Sequence, residues 1–418
     1  MSGSGLTTSQ NAAAFGLEGA WRVQAIANAL EAKLGPAGER VIHVEIGQPD
    51  FPTPQHIVQA GLRSLAAGQT RYTTPEGILP LREAVCEFIR DRGVIAEPNR
   101  VVVAPGGKCA LYCALMSIVS PGDEVLVPDP GFPMYPSVTR ASGGRPVYYP
   151  VTADYGVEAG AIRDLITSRT RAIVLNAPHN PAGSSIARTE MEHIAQLALE
   201  HDLWIVSDEI YATLQFDGQY RSPLAVPELR DRCIIVDSLS KSHAMPGFRA
   251  GFAVIPESLK DTFVKVVVNV FSCVTTFVQY AAVEALTGPQ DCVVEMRREY
   301  QARTRLVSSQ LASVTGMSCA APAGAFYVFP DVTGLIAAAG ARGPSATLDI
   351  ADRILNEAKV AVLPGTDFGP RGAGAIRISC ATSRENLQIA VDRIARFANT
   401  IAAEHSGRST SQATGALA

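Results

Sequence analysis

An α/β fold with a mostly parallel sheet, followed by a smaller α+β unit, is predicted by three features of this sequence. Seven short apolar runs carry strand character: 101–104, 124–127, 146–151, 172–175, 203–207, 233–236 and 251–255. Helical patterns lie between many of them, and strands alternating with helices argue for parallel pairing. After about residue 293 the pattern changes. Helices are expected at 299–314, 346–358 and 384–403, with strands at 325–329 and 375–379.

Among the helices, 108–120 places Ala110, Leu111, Ala114, Leu115 and Ile118 on one face and stops at Pro121-Gly122. A second pattern covers 188–200. The length of 418 residues suits two or three compact units, and 47% hydrophobic with 18% charged residues suits a soluble enzyme with a large core. A formal charge of −4 offers no electrostatic footprint for nucleic acid. The chain has no run of eighteen apolar residues, so no membrane span is expected. Residues 1–11 lack the basic-then-apolar pattern of a secretory signal, which points to the cytoplasm. A flexible tail is expected at 1–15 and a disordered one, rich in Ser, Thr, Gly and Ala, at 406–418.

The eight cysteines include Cys109 and Cys113, four apart on a helix, but no Cys-x-x-Cys pair. The seven histidines do not cluster. Both facts argue against a metal site and for reduced thiols.

The chemistry is concentrated in Ser238-Leu239-Ser240-Lys241, with Arg249 eight residues further on. A lysine amine forms Schiff bases with aldehydes, and hydroxyls with a guanidinium suit a phosphate. An aldehyde that carries a phosphate is pyridoxal phosphate. Its ring nitrogen needs an anion beside it, and Asp208 ends the run 203–207, where α/β sheets bind ligands. Tyr211, three residues on, can donate to the ring's phenolic oxygen. The segment from Asn176 to Gly183 has two X-Pro steps that aim an amide from a rigid loop. Gly106-Gly107-Lys108 opens a helix and exposes backbone N–H groups to an anion.

These segments resemble class I/II aminotransferases, in that family's order from about residue 46 to 379. Ser-Leu-Ser-Lys with Arg249 resembles its cofactor-lysine segment, and Ser207-Asp208-Glu209-Ile210-Tyr211 its Ser-Asp-Glu-x-Tyr. Asn176-Ala177-Pro178-His179-Asn180-Pro181-Ala182-Gly183 resembles Asn-x-Pro-x-Asn-Pro-Thr-Gly, with Ala182 in place of threonine. The resemblance implies that Asn180 bonds the phenolic oxygen, that Gly106, Gly107 and Lys108 cradle phosphate with Ser238 and Ser240, and that Phe132 stacks on the ring. It implies that Gly47, in Gly-Gln-Pro-Asp-Phe, borders the substrate, and that Tyr72 reaches the phosphate of a neighbouring subunit. Arg377, in Ile-Arg-Ile-Ser, would bind the substrate's α-carboxylate in two parallel bonds.

The resemblance further implies a fold-type-I architecture. A large domain (50–292) would hold a seven-stranded mixed, mostly parallel sheet. A smaller domain would come from 16–49 and 293–405, and the enzyme would be a homodimer with shared sites. The implied reaction moves an amino group from an amino acid to a 2-oxo acid in ping-pong fashion, with Lys241 as base. Carbon–sulfur β-elimination on the same residues is the alternative. A regulator's effector domain is a further class, but the residues before Gly47 are too few and too little basic for a DNA-binding extension. Pro-His-Asn-Pro and the lysine segment look most like bacterial aspartate/aromatic and arginine:pyruvate aminotransferases. The substrate side chain could be met by Trp21-Arg22: Arg22 by pairing with an acid, Trp21 by packing. Otherwise Arg22 lies on a wet helix face and Trp21 in its core.

Overall fold

Runs of Val, Ile and Leu are stable as strands when both faces are covered. In the computed structural model, which describes residues 8–415 apart from 14, 17 and 36–38, six of the seven runs are covered in this way, and the run at 145–150 is a half-buried edge strand. A short strand, β1 (Ile42–His43), comes first in the chain. Then follow β2 (Val101–Ala104), β3 (Glu124–Asp129), β4 (Arg145–Pro150), β5 (Thr170–Asn176), β6 (Trp204–Asp208), β7 (Cys233–Ser238) and β8 (Gly251–Val254). These seven form one sheet in the order β2-β8-β7-β6-β5-β3-β4. Only β8 runs antiparallel to its neighbours. All seven expected runs are strands of this sheet.

Alternation decides which layer each side chain joins. Val103, Ile173, Ile205 and Ile235 pack into one core with the helices Leu79–Phe88, Arg188–Glu200 and Thr276–Thr287. Val102, Val174, Val206 and Ile234 face the opposite core with the helices Gly107–Ile118 and Lys260–Val270. The helix Gly107–Ile118 buries the five apolar residues that its periodicity picks out, and ends at Val119, ahead of Pro121.

The last third forms β9 (Tyr327–Val328), β10 (Val360–Ala361), β11 (Leu363–Pro364) and β12 (Ile376–Ser379). β10 pairs with β1, and β11-β12-β9 form a three-stranded sheet. Ile42 and Val44, from the first part of the chain, share a core with Val360, Ile378, Leu387 and Ile394. Val23 and Ala27, on the helix Gly19–Leu34, pack on Leu355 and Leu363. The two ends of the chain therefore meet in one cluster.

Three expectations differ from the structure. The helix expected at 299–314 starts earlier and spans Asp291–Leu311. The strand expected at 325–329 contracts to β9, which pairs only with β12. The last helix runs from Arg384 to Gly415, so 406–415 is helical where disorder was expected. The composition there favours a loop, and the segment continues a helix already nucleated on the core. At the other end, residues 10–13 form one helical turn, and 1–7 lie outside the described residues. Among the described residues no helix is long and apolar enough to cross a membrane, and no group of His, Cys, Asp or Glu is placed to hold a metal. The eight cysteines are unpaired.

Gly251 lets β8 approach the turn after β2. A Cβ there would fall 2.5 Å from the Gly106 carbonyl carbon and 2.7 Å from Gly107 N. Backbone cannot move aside as a side chain can, so Gly251→Ala should cost at least about 1 kcal/mol. The check is thermal unfolding beside the parent protein, where a lower midpoint is expected.

Candidate active site

Four elements end at the same edge of the large sheet. β5, β6 and β7 deliver Asn176, Asp208 and Ser238, and the turn after β2 delivers Gly106 and Gly107. Parallel registry puts Asn176 opposite Asp208 and Asp208 opposite Val236, so β7 carries Ser238 two residues past the end of β6 at the same edge. Gly107, Asn176, Asp208 and Ser238 line a cavity of about 460 Å³ that also contains Lys241, Arg249, Tyr211, Asn180, Arg377, Phe132 and Tyr327. A wider cleft of about 760 Å³ beside it shares Arg249 but contains no carboxylate and no lysine, so the smaller cavity is the candidate site.

Asp208 is buried, and its Oδ2 accepts from the Tyr135 hydroxyl (2.7 Å) while Oδ1 accepts from Ile210 N–H (3.2 Å). Burial pushes its carboxyl up to about 6 despite the Tyr135 bond. A carboxylate held in such a place is stabilised by a cation beside it, which is what a protonated pyridine nitrogen offers. Asn176 braces the edge. Its Nδ2 donates to the Asp208 carbonyl (3.0 Å), and its Oδ1 accepts from Asn180 N–H (2.8 Å).

Lys241 follows Ser238, whose Oγ accepts from Ser240 N–H (3.3 Å) and so caps the turn Leu239–Ser242. The Lys241 Nζ donates to the Gly47 carbonyl. Burial lowers its amine to about 7, and the cations Arg377, Lys108 and Arg249 act in the same sense. The amine is thus held toward its neutral form, the one that is nucleophilic.

The groups suited to an anion meet at one end of the cavity: the N-terminus of helix Gly107–Ile118, Ser238, Ser240 and Arg249. The Ser238 hydroxyl accepts one bond and keeps its proton to donate. Arg249 has φ +57°, a left-handed backbone that costs roughly 1 kcal/mol. Its guanidinium folds onto the carbonyls of Pro246 (2.9 Å) and Pro105 (3.2 Å). Gly106 lines no cavity wall itself. A Cβ on it would fall 2.3 Å from Arg249 Nη2, so only glycine lets the guanidinium lie there. This cradle, with Lys241 and Asp208, fits a phosphorylated pyridine aldehyde.

Opposite the cradle, Arg377 is buried between the rings of Tyr327 (4.4 Å) and Phe368 (5.0 Å). Its Nη2 donates to the Glu45 carbonyl (2.6 Å) and its Nη1 to Asn180 Oδ1 (3.1 Å). Three of its five N–H bonds have no protein partner: one on each Nη and the buried Nε. Because Arg377 only donates, the Asn180 oxygen must face it, and the amide NH₂ is turned to the cavity. The Tyr211 and Tyr327 hydroxyls bond each other at 2.7 Å. Gly47 leaves room for Tyr327, whose hydroxyl would lie 2.0 Å from an added Cβ.

Tyr72 does not join this group. It is 89% exposed and lines a separate cleft. Arg22 lines no part of the cavity and pairs with Asp367 at 3.4 Å, while Trp21 lines the cavity and is 58% exposed, not in a core. Among the cavity residues that had no role from sequence are Tyr135, Asn176, Tyr327 and Glu18. Tyr135 lies one helical turn after Phe132, and Asn176 opens the rigid loop, so local spacing could have raised both. Tyr327 and Glu18 carry no such signal. Glu18 pairs with Lys108 at the cavity wall.

The depressed lysine makes a pH prediction. Between about 7 and the ordinary 10.5 the unfolded chain binds a proton at Lys241 that the folded chain does not. Stability of the ligand-free protein therefore gains from Lys241 as pH rises across that window. Lys241→Met should remove this component, read as a flatter rise of the urea midpoint. Amine labelling of Lys241 should be half-maximal near pH 7.

A family model described as Aminotransferase class I and II matches residues 39–394. The chain is 38% identical to the aspartate aminotransferase of Bacillus sp. (strain YM-2) over 365 residues, 86% of this chain and 92% of that protein. It is 40% identical to the arginine–pyruvate transaminase AruH of Pseudomonas aeruginosa, over 86% of this chain and 90% of that one. The solved structure of Thermus thermophilus aspartate aminotransferase with maleate superposes with a TM-score of 0.86 at 35% identity, covering 94% of this chain and 99% of that one. With the match spanning most of the chain, this protein belongs to the class I and II aminotransferases and is a pyridoxal-phosphate-dependent transaminase of the fold-type-I architecture.

Proposed function

We propose that this transaminase takes its amino acid by the α-carboxylate at Arg377 and uses Lys241 Nζ to remove the α-proton. The observation that carries this reading is a lysine with a lowered pKa in one cavity with the buried Asp208. Asp208 would stand against the pyridine nitrogen, Tyr211 and Asn180 against the phenolic oxygen, and Phe132 against the ring face. Gly106, Gly107, the main-chain N–H of Lys108, Ser238, Ser240 and Arg249 would form the phosphate end. When bound, pyridoxal phosphate supplies the aldehyde carbon that accepts the amino group and a ring that accepts electron density. Arg377 orients the substrate so that its α-hydrogen points at Nζ, and Tyr135 keeps Asp208 in place. The flanking rings shield the Arg377 pair from water, which strengthens it.

Residues 50–292 would be the large domain, and 16–49 with 293–405 the small one, supported by the shared core of the two chain ends. Homodimerisation is part of the reading. Tyr72 would serve the partner's phosphate, supported by its exposed ring on a segment tied down by the Thr276 hydroxyl bond to the Arg71 carbonyl. A cytoplasmic location agrees with eight unpaired cysteines.

For the donor, we propose broad specificity. Glu18 and Lys108 neutralise each other at the side-chain end, so an acidic donor can compete for Lys108 and a basic one for Glu18. Among the relatives, aspartate and arginine–pyruvate enzymes are both named.

Lys241→Ala should abolish turnover, and borohydride should fix cofactor on Lys241 in the parent; labelling of Lys108 would overturn the assignment. Asp208→Asn should lose roughly a hundredfold or more in kcat with cofactor still bound, and equal activity would remove its electronic role. Arg377→Ala should lower kcat/KM for every donor alike by tenfold or more, about 1.4 kcal/mol.

A half-reaction panel of amino acids tests the side-chain reading. Glu18→Gln should weaken arginine and lysine by about tenfold and spare alanine. Unchanged ratios would reject it. Mixing Lys241→Ala with Tyr72→Phe chains should restore one intact site per heterodimer, and a monomer by sedimentation would contradict the shared site.

A further inference from the structure

Behind the catalytic edge lies a second buried charge cluster. Side chains alternate along a strand, so the neighbours of Asp208 and Ser238 point away from the cavity. Those neighbours are Glu209 and Asp237, exposed by 0% and 2%. Two carboxylates at adjacent strand ends repel strongly when desolvated. Arg92, itself 5% exposed, fits between them from the turn Arg90–Arg92. Its Nη1 donates to Glu209 Oε2 at 3.0 Å, and its Nη2 to Asp237 Oδ2 at 2.6 Å.

The bonds continue toward the cavity. Asp237 Oδ1 accepts from Ser238 N–H at 2.6 Å, one residue before the turn that carries Lys241. Glu209 Oε1 accepts from the hydroxyls of Ser207 (3.1 Å) and Ser222 (2.5 Å), and its N–H donates to the Val236 carbonyl (2.9 Å). Phe88 lies over the guanidinium, 4.9 Å from ring centroid to Cζ. The planar fork reaches both carboxylates at once, which a lysine ammonium cannot do in the same place.

We infer that Arg92 is a positioning residue: its fork ties the end of β6 to the end of β7 and so sets Asp208 against Ser238 and Lys241. The assignment rests on Lys241 and Asp208 being cofactor contacts, as proposed above. Borohydride labelling of Lys241 in the parent tests that premise separately.

The experiment titrates ligand-free protein with pyridoxal 5'-phosphate and also records its thermal midpoint. Arg92→Met should weaken cofactor binding by about tenfold, and at least by roughly threefold. Arg92→Lys, which keeps the charge without the fork, should also weaken it by at least roughly threefold. The pH midpoint of the bound cofactor's visible absorbance should rise in Arg92→Met, because uncompensated carboxylates behind the site favour protonated neighbours. Should Arg92→Met not fold, Asp237→Asn, nearly equal in volume, is held to the same affinity threshold. Affinity within threefold of the parent in these variants overturns the proposal, even if the thermal midpoint falls. So does parent-like affinity in Arg92→Lys alone, since the fork would then be dispensable.

Discussion

The structure depends on the alignment of three parallel strands that end at one edge of the sheet. β5, β6 and β7 stop with Asn176, Asp208 and Ser238 at one edge, and backbone ladders set that alignment. No side chain alone could hold a carboxylate and a lysine in one apolar cavity. Burial drives both groups toward their neutral forms, Asp208 upward and Lys241 downward. A rigid sheet keeps them where an incoming ligand must supply the missing charge. A ligand that brings a cation to Asp208 and an anion to the Arg249 end complements those positions.

Glycine makes the second constraint. Gly106 admits the Arg249 guanidinium, Gly251 admits the Gly106-Gly107 turn, and Gly47 admits the Tyr327 hydroxyl. Each is a close approach in which a methyl group would displace backbone or a functional atom. The left-handed Arg249 belongs with them, because its backbone geometry folds the side chain onto two carbonyls. Local strain of this kind persists where surrounding packing over-determines it. Around Arg377 the same logic is served by aromatic faces, which hold the guanidinium without using up its N–H bonds.

Much of this was legible in the chain. The seven strand runs, the helix after Gly106 and the positions of Asp208, Asn180, Lys241, Arg249 and Arg377 all follow from short-range pattern and motif order. Less legible were partners distant in sequence. Tyr327 meets Tyr211 across 116 positions, and Glu18 meets Lys108 across 90. Trp21 was weighed as a core residue and lies open at the cavity wall. The helix to Gly415 was missed because its composition is that of a loop, while its first turns are anchored by Leu387, Ile394 and Ile401.

By itself the sequence determined the kinds of chemistry present: an amine, a carboxylate, a phosphate cradle and a carboxylate-binding fork, each fixed by local spacing and residue type. It determined the parallel sheet for the same reason, since apolar alternation is a property of neighbours. Only the tertiary structure decided which groups share a cavity and what charge each prefers there. Those outcomes depend on burial and on contacts between segments far apart in the chain, such as Arg22 with Asp367 or Arg92 with Asp237. Desolvation is a property of the folded volume, and no window of sequence contains it.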